Sequence, residues 1–212
     1  MKYKLINGNS DSIFDIFKNR NINPNTILNL SEKDINDPFL MNNMKEAVEK
    51  VYHYIKNDNR LIAIQQDPDA DGLASTAQIH MYLTDCFPEL ESRLRVLIQP
   101  GKAHGIQVSE IKDRIKEGEE YCLVIAPDCS SNEEEVHKEL QEAGVDVVVL
   151  DHHDAEKYSK WATMVNVSLD DKYPNKNLSG VGICQKFSKA FDQTYGFDFA
   201  DNYYDLVAVG IK

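Results

Sequence analysis

No Cys-x-x-Cys pair occurs in this sequence, and its four cysteines, Cys86, Cys122, Cys129 and Cys184, lie far apart. Each cysteine sits in or beside an apolar segment, which reads as reduced, partly buried thiols in a cytoplasmic protein. No long apolar run occurs, and the N-terminus lacks the apolar core of a signal peptide, so no membrane association is expected. Positive charge is also scarce: 23 Lys and Arg face 35 Asp and Glu, for a net charge of −12. A sequence-independent grip on DNA or RNA needs a basic surface, which argues against one here. A nucleic-acid phosphate remains possible as substrate where metal ions neutralise the site. Internal repeats and low-complexity linkers are lacking as well. The 212 residues, 42% of them apolar, suffice for one large α/β domain or one domain with a small extension.

The chain is organised around the stretch 61–75, LIAIQQDPDADGLAS. Its apolar start, Leu61 to Ile64, predicts a short buried strand, and Leu73 to Ala77 predicts the start of a helix. Between them stand Asp67, Asp69 and Asp71, then Gly72. In open parallel sheets ligands bind outside the carboxyl ends of the strands, which is where these carboxylates fall. Three carboxylates this close are tolerated if they are solvated, protonated or neutralised by a cation, and oxygen ligands favour Mg, Mn or Ca. An acidic solvated turn is the competing reading, since Asp-Pro-Asp is good turn chemistry. An EF-hand loop fits poorly, because its required Gly would fall one place later and a strand, not a helix, precedes the stretch.

Further along, helices are predicted over 12–19, 40–57, 74–87, 108–116, 132–143, 180–195 and 203–210. Strands are predicted over 61–64, 94–99, 121–126, 145–150 and 163–167. Ser131 or Asn132 is the expected cap of the acidic helix, and Glu133-Glu134-Glu135 reads as favourable first-turn charge. His53, Tyr52 and His80 fall on helices, where packing explains them. The loop from Pro100 to Gly105 carries Lys102 and His104, an ordinary turn or a phosphate contact. The alternation of strands and helices predicts an α/β fold: a parallel sheet of about five strands with helices on both faces. Residues 1–57 are expected to form a helical N-terminal extension packed on the core, and 58–212 the main domain. Three strands end in metal-type residues: Asp67/Asp69/Asp71, Asp128, and Asp151-His152-His153. One acidic strand end is common, but three in one sheet point to a metal centre, and imidazole favours a transition metal such as Mn over Ca. A carboxylate-bridged metal pair would activate a water for in-line attack at phosphorus.

In order and spacing, Asp67-Pro68-Asp69-Ala70-Asp71-Gly72, Asp128 and Asp151-His152-His153 resemble the first three motifs of the DHH phosphoesterases. Asp37 to Leu40, Met44 to Ala47, His104-Gly105-Ile106, Leu178 to Gly182 and Leu206 to Gly210 resemble segments of RecJ-type single-stranded-DNA exonucleases within that family. The resemblance spans roughly Leu30 to the C-terminus. It implies two Mn2+ (or Mg2+) ions, with Asp67 and Asp69 on one, Asp71 and His152 on the other, and Asp128 bridging. It further implies His153 beside the scissile phosphate as ligand or proton donor, Asp128 and Asp151 in the catalytic set, and Asp151 orienting the histidines. Lys102, His104, Gly180 and Gly182 are candidate substrate contacts, the glycines through a helix N-terminus, with helix packing an equally good account of the glycines.

The family's fourth motif supplies one more metal-binding Asp, due where this sequence ends at Ile211-Lys212, and these 212 residues are expected to be an excised or naturally split part without the family's second domain. The second metal is therefore expected to be weak, and the activity of this chain alone low or lost. The implied reaction is metal-dependent phosphodiester hydrolysis of single-stranded DNA from the 5′ end. Oligonucleotides, cyclic dinucleotides, nucleoside bisphosphates or pyrophosphate are the alternative substrates. A replication or repair accessory module, acting through protein partners, is the non-enzymatic alternative.

Overall fold

The computed structural model describes residues 13–99, 101 and 103–210. The chain divides into two compact units, residues 1–37 and 38–212. In the first, α1 (Ile13–Asn19) and α2 (Pro24–Leu28) are short. Asn23 caps α2 by accepting the Asn25 N–H at 3.0 Å, with Pro24 at the first helical position, where its missing N–H costs nothing.

The second unit is a five-stranded, all-parallel sheet in the order β2-β1-β3-β4-β5. The strands are β1 (Leu61–Gln66), β2 (Leu94–Ile98), β3 (Tyr121–Pro127), β4 (Asp146–Asp151) and β5 (Thr163–Asn166). Helix α3 (Met44–Asn57), which sequence reading places in an extension, belongs to this unit, whose start at Pro38 differs from the expected boundary at 57/58. The reason is its apolar stripe, Met44, Ala47, Val48, Val51 and Ile55, which is buried in the main core.

Strand residues alternate between two cores. Ile62, Ile64, Ile125, Val148, Leu150 and Val165 pack with α3, α4 (Ala70–Cys86) and α7 (Gly180–Tyr195). Ala63, Val124, Ala126, Val147, Val149 and Met164 face the other way, toward α5 (Val108–Lys116) and α6 (Glu134–Glu142). The period-2 alternation of strand side chains requires both faces to be covered, and the near-continuous apolar sequence of β3 and β4 follows. One register shift interrupts the pattern. Leu61 pairs with Tyr121 and Ile62 with Leu123, so Cys122 is an extra residue at the start of β3.

The strand order places a switch point at the site. The chain leaves β1 for β2 on one side through α4, then returns past β1 to β3 through α5 on the opposite face, as right-handed crossovers demand. The carboxyl ends of β1 and β3 are therefore neighbours where the connections diverge, the place where open α/β sheets bind ligands.

Three helix starts differ from the sequence reading, the first being α3, which begins at Met44 rather than Leu40. Helix α4 begins at Ala70, not near Ala74, because Asp69 caps it by accepting the Gly72 N–H at 3.0 Å. Helix α6 begins at Glu134 with Glu133 at the cap position, because Ser131 and Asn132 are engaged elsewhere: Ser131 Oγ accepts from Asn166 and Asn132 Nδ2 donates to the Asp154 carbonyl.

On the α7 side the core is aromatic. Phe191 is fully buried among Tyr52, Tyr82, Phe87, Phe187, Tyr195 and Phe197, with ring centroids 4.9–6.1 Å away. Phe191→Ala is expected to lower the unfolding free energy by about 3–5 kcal/mol, measured by urea denaturation.

Candidate metal centre

Three strand ends deliver the acidic and imidazole side chains. Asp67 and Asp69 follow β1, Asp71 lies in the first turn of α4, Asp128 follows β3, and Asp151 ends β4 with His152 and His153 after it. Ligand atoms of Asp67, Asp69 and Asp128 lie within 4.8 Å of one another, and so do those of Asp128, His152 and His153. Asp128 is common to both groups. Asp71 is in neither, although its Oδ2 is 3.7 Å from His152 Nε2.

Asp128 is 1% exposed and adopts a left-handed backbone, φ 62°. Its N–H is held by the Leu150 carbonyl at 2.8 Å, which fixes the turn against β4. Asp128 Oδ1 accepts no hydrogen bond, although His152 Nε2 lies 3.2 Å away as an ion-pair neighbour. Burial pushes the Asp128 carboxyl up to about 6, against the pull of His152 in the opposite direction. A buried carboxylate with an unpartnered oxygen is costly unless a charge partner reaches it.

Asp151 is surrounded by donors. Its Oδ1 accepts from His152 N at 2.7 Å, His153 N at 3.3 Å and His153 Nδ1 at 2.8 Å, and its Oδ2 accepts from Ser131 N at 3.2 Å. Burial works to raise its pKa, but these donors, led by His153, outweigh burial and hold it below the usual carboxylate range. The same bond raises His153 to about 9 and leaves its Nε2 on the far side of the ring, free of Asp151. His152 is raised as well, chiefly by Asp128.

Asp71 is set by a helix end: its Oδ2 accepts the Gly180 N–H at 2.8 Å and its Oδ1 the Val181 N–H at 2.9 Å, at the start of α7. Two glycines make room for the carboxylates. A Cβ on Gly180 would enter the Asp128 carboxylate, and one on Gly210 the Asp71 carboxylate. Gly180 and Gly182, expected as phosphate contacts, have engaged N–H groups, the former on Asp71 and the latter on Ser179 Oγ at 3.2 Å. Gly180 thus serves the site by its missing side chain. His104, expected as a substrate contact, reaches Asp67, with Nδ1 at 2.9 Å from Oδ1. Burial raises the Asp67 pKa, and His104 opposes that. Lys102 lies outside the described residues. A cleft of about 610 Å³ opens over Asp67, His104, Asp128, Glu133, Asp151 and His153.

The sequence profile of the DHH family, N-terminal domain, matches residues 59–211. The chain belongs to the DHH family. YorK, an SPbeta prophage-derived protein of Bacillus subtilis (strain 168) provisionally named a single-strand DNA-specific exonuclease, is 35% identical over 215 residues, covering 99% of this chain and 36% of that protein. The single-stranded-DNA-specific exonuclease RecJ of the same organism is 29% identical over 196 residues, covering 86% of this chain and 22% of RecJ. Among solved structures, exonuclease RecJ bound to manganese superimposes with a TM-score of 0.68 at 26% identity, over 80% of this chain and 42% of that one. RecJ from Thermus thermophilus in complex with Mn2+ gives 0.65 at 25% identity, over 80% and 24%. The DHH chain thus spans about a third or less of the length of these curated relatives.

The donor set of this DHH domain fits a divalent ion. Carboxylate oxygens with one or two imidazoles suit Mn2+ or Mg2+, and the buried Asp128 Oδ1, which has only His152 beside it and no formed hydrogen bond, is an atom a cation would satisfy. Sequence reading missed two parts of the DHH site. Asn166 at the end of β5 donates to Ser131 Oγ and to the His153 carbonyl, and Glu133 lines the cleft. Neither residue belongs to a recognisable motif, and their partners are distant in sequence.

Because burial raises the folded-state pKa of Asp128, the protonated form stabilises the fold at low pH, and that contribution is lost as pH rises through about 6. Asp128→Asn, which tolerates a left-handed backbone, is therefore expected to raise the thermal midpoint of the metal-free protein near pH 8 and to leave it almost unchanged near pH 5. The same substitution is expected to remove stabilisation by Mn2+, read in the same melts. An equal loss of stability at both pH values would contradict the assignment.

Proposed function

We propose that this DHH domain hydrolyses phosphodiester bonds of single-stranded DNA from the 5′ end, as the metal-binding part of a RecJ-type exonuclease. The observation that carries this reading is the buried Asp128, shared by two ligand groups, with His152 Nε2 3.2 Å from an Oδ1 that makes no geometrically formed hydrogen bond. Asp67, Asp69 and Asp128 would hold one Mn2+ or Mg2+, and Asp128 with His152 a second, with Asp71 beside it. When bound, such ions neutralise the carboxylates, lower the pKa of a water and draw charge from the phosphate.

The protein's own groups supply the rest. With a pKa of about 9, His153 carries a proton on Nε2 at neutral pH, because Asp151 holds Nδ1. Nε2–H therefore donates to a phosphate oxygen, and it can pass its proton to the leaving oxygen. Asp151 keeps the imidazole ring in that orientation. Similarity to RecJ and YorK, named for single-strand-DNA exonuclease activity, supports the substrate class. The four free cysteines are all buried thiols, which supports action in the cytoplasm, and among the described residues no helix is long and apolar enough to cross a membrane.

The net charge of −12 and the acidic cleft residues Glu133 and Asp154 favour a second reading, in which short oligonucleotides are the substrate. A length series of 5′-labelled single strands with Mn2+ separates the two. Release of mononucleotides from long strands supports the first reading, and turnover confined to the shortest oligomers supports the second. In either case Asp128→Ala is expected to reduce hydrolysis to background, and wild-type turnover in that variant would exclude the metal assignment.

A further inference from the structure

Glu133 occupies the cap position of α6 but makes no capping hydrogen bond. Its Oε2 accepts from Ser130 Oγ and, at 2.9 Å, from the Ile106 N–H. Opposite it, Gly105 has φ +90°, and a Cβ there would enter the Glu133 carboxylate. One carboxylate oxygen thus joins the turn after β2 to the loop after β3. The turn carries His104, whose Nδ1 holds Asp67 Oδ1, and the loop carries Asp128.

The loop needs such a fastening. Asp128 and Ser130 are both left-handed, at φ 62° and 79°, a costly backbone for residues with a Cβ. Ser130 Oγ also meets His137 Nε2 at 3.0 Å, and His137 Nδ1 meets Ser159 Oγ at 3.0 Å, so the hydroxyl is fixed from a second side. Burial lowers the His137 pKa to about 4, so the ring stays neutral and can serve both hydroxyls.

We propose that Glu133 is a positioning residue for the metal centre: it clamps the 103–106 turn to the Asp128 loop, so that His104 holds Asp67 facing Asp128. This rests on the reading of Asp67 and Asp128 as ligands of a shared ion. Because both bonds fall on one oxygen, an amide oxygen in the same place would preserve them, and the negative charge is not required.

The test compares Glu133→Ala, Glu133→Gln, His104→Ala and the Glu133→Ala/His104→Ala double variant of this chain. Two quantities are read: amide exchange at Ile106 in metal-free protein and Mn2+ affinity by calorimetry. Glu133→Ala is expected to speed Ile106 exchange and weaken Mn2+ binding about tenfold or more, as losing a group that orients a ligand does. Glu133→Gln is expected to match wild type in both. The double variant should bind no more weakly than the weaker single variant, because both act through one contact chain. Glu133→Gln as weak as Glu133→Ala would overturn the inference, since the charge itself would then matter. Additive losses, or fast Ile106 exchange with undiminished affinity, would overturn it as well. If Glu133→Ala does not fold, Glu133→Leu, closer in volume, takes its place with the same expected losses. A wild-type chain that binds no Mn2+ would remove the ligand reading and the inference with it, and normal protection of Ile106 would distinguish that failure from failure of the clamp.

Discussion

A carboxylate at 1% exposure, with one oxygen that accepts no hydrogen bond, is the constraint to which the rest of this site is fitted. Asp128 reaches its position only through a left-handed turn at the end of β3, held by the Leu150 carbonyl. Gly180 lacks a side chain where one would collide with it. His152 stands 3.2 Å from it, and the acidic residues after β1 face it from the neighbouring strand. Burial raises its pKa to about 6 against the pull of His152, and a divalent cation within reach would further favour its charged form.

The topology explains why such convergence occurs here. Reversal of direction between the β1–β2 and β2–β3 connections opens a gap at the carboxyl ends of β1 and β3. Helix α7 then points its first N–H groups at Asp71, so that a helix terminus stabilises a carboxylate just behind the ligand groups. Asp151, by contrast, is satisfied by four donors, one of them His153 Nδ1. Two buried aspartates one strand apart thus have opposite electrostatic settings, one raised and one lowered, which is how a site separates roles among identical side chains.

Much of this was legible in the sequence. The strand runs, the three acidic or imidazole strand ends and the DHH family resemblance locate the sheet and its functional edge, because period and apolar content determine parallel strands strongly. The apolar pattern places the start of α4 a few residues late, because Asp69 is both candidate ligand and cap, and only the second role sets the helix boundary. In sequence Glu133 looks like helix charge, because its partners Ser130 and Ile106 meet it only when two loops fold together. For Gly180 the sequence leaves phosphate contact and helix packing equally open, because a helix-start glycine looks the same whether its N–H or its empty side is used. The strand order, and hence the switch point, follows from packing of the crossover helices and has no local sequence signature.

The most direct test is anomalous diffraction at the manganese edge from crystals of this chain grown with Mn2+. The account predicts an anomalous peak within coordination distance of Asp128, bounded by Asp67 and Asp69 or by His152, and none in an Asp128→Asn crystal. Mn2+ found only on exposed surface carboxylates, with Asp128 untouched, would contradict it.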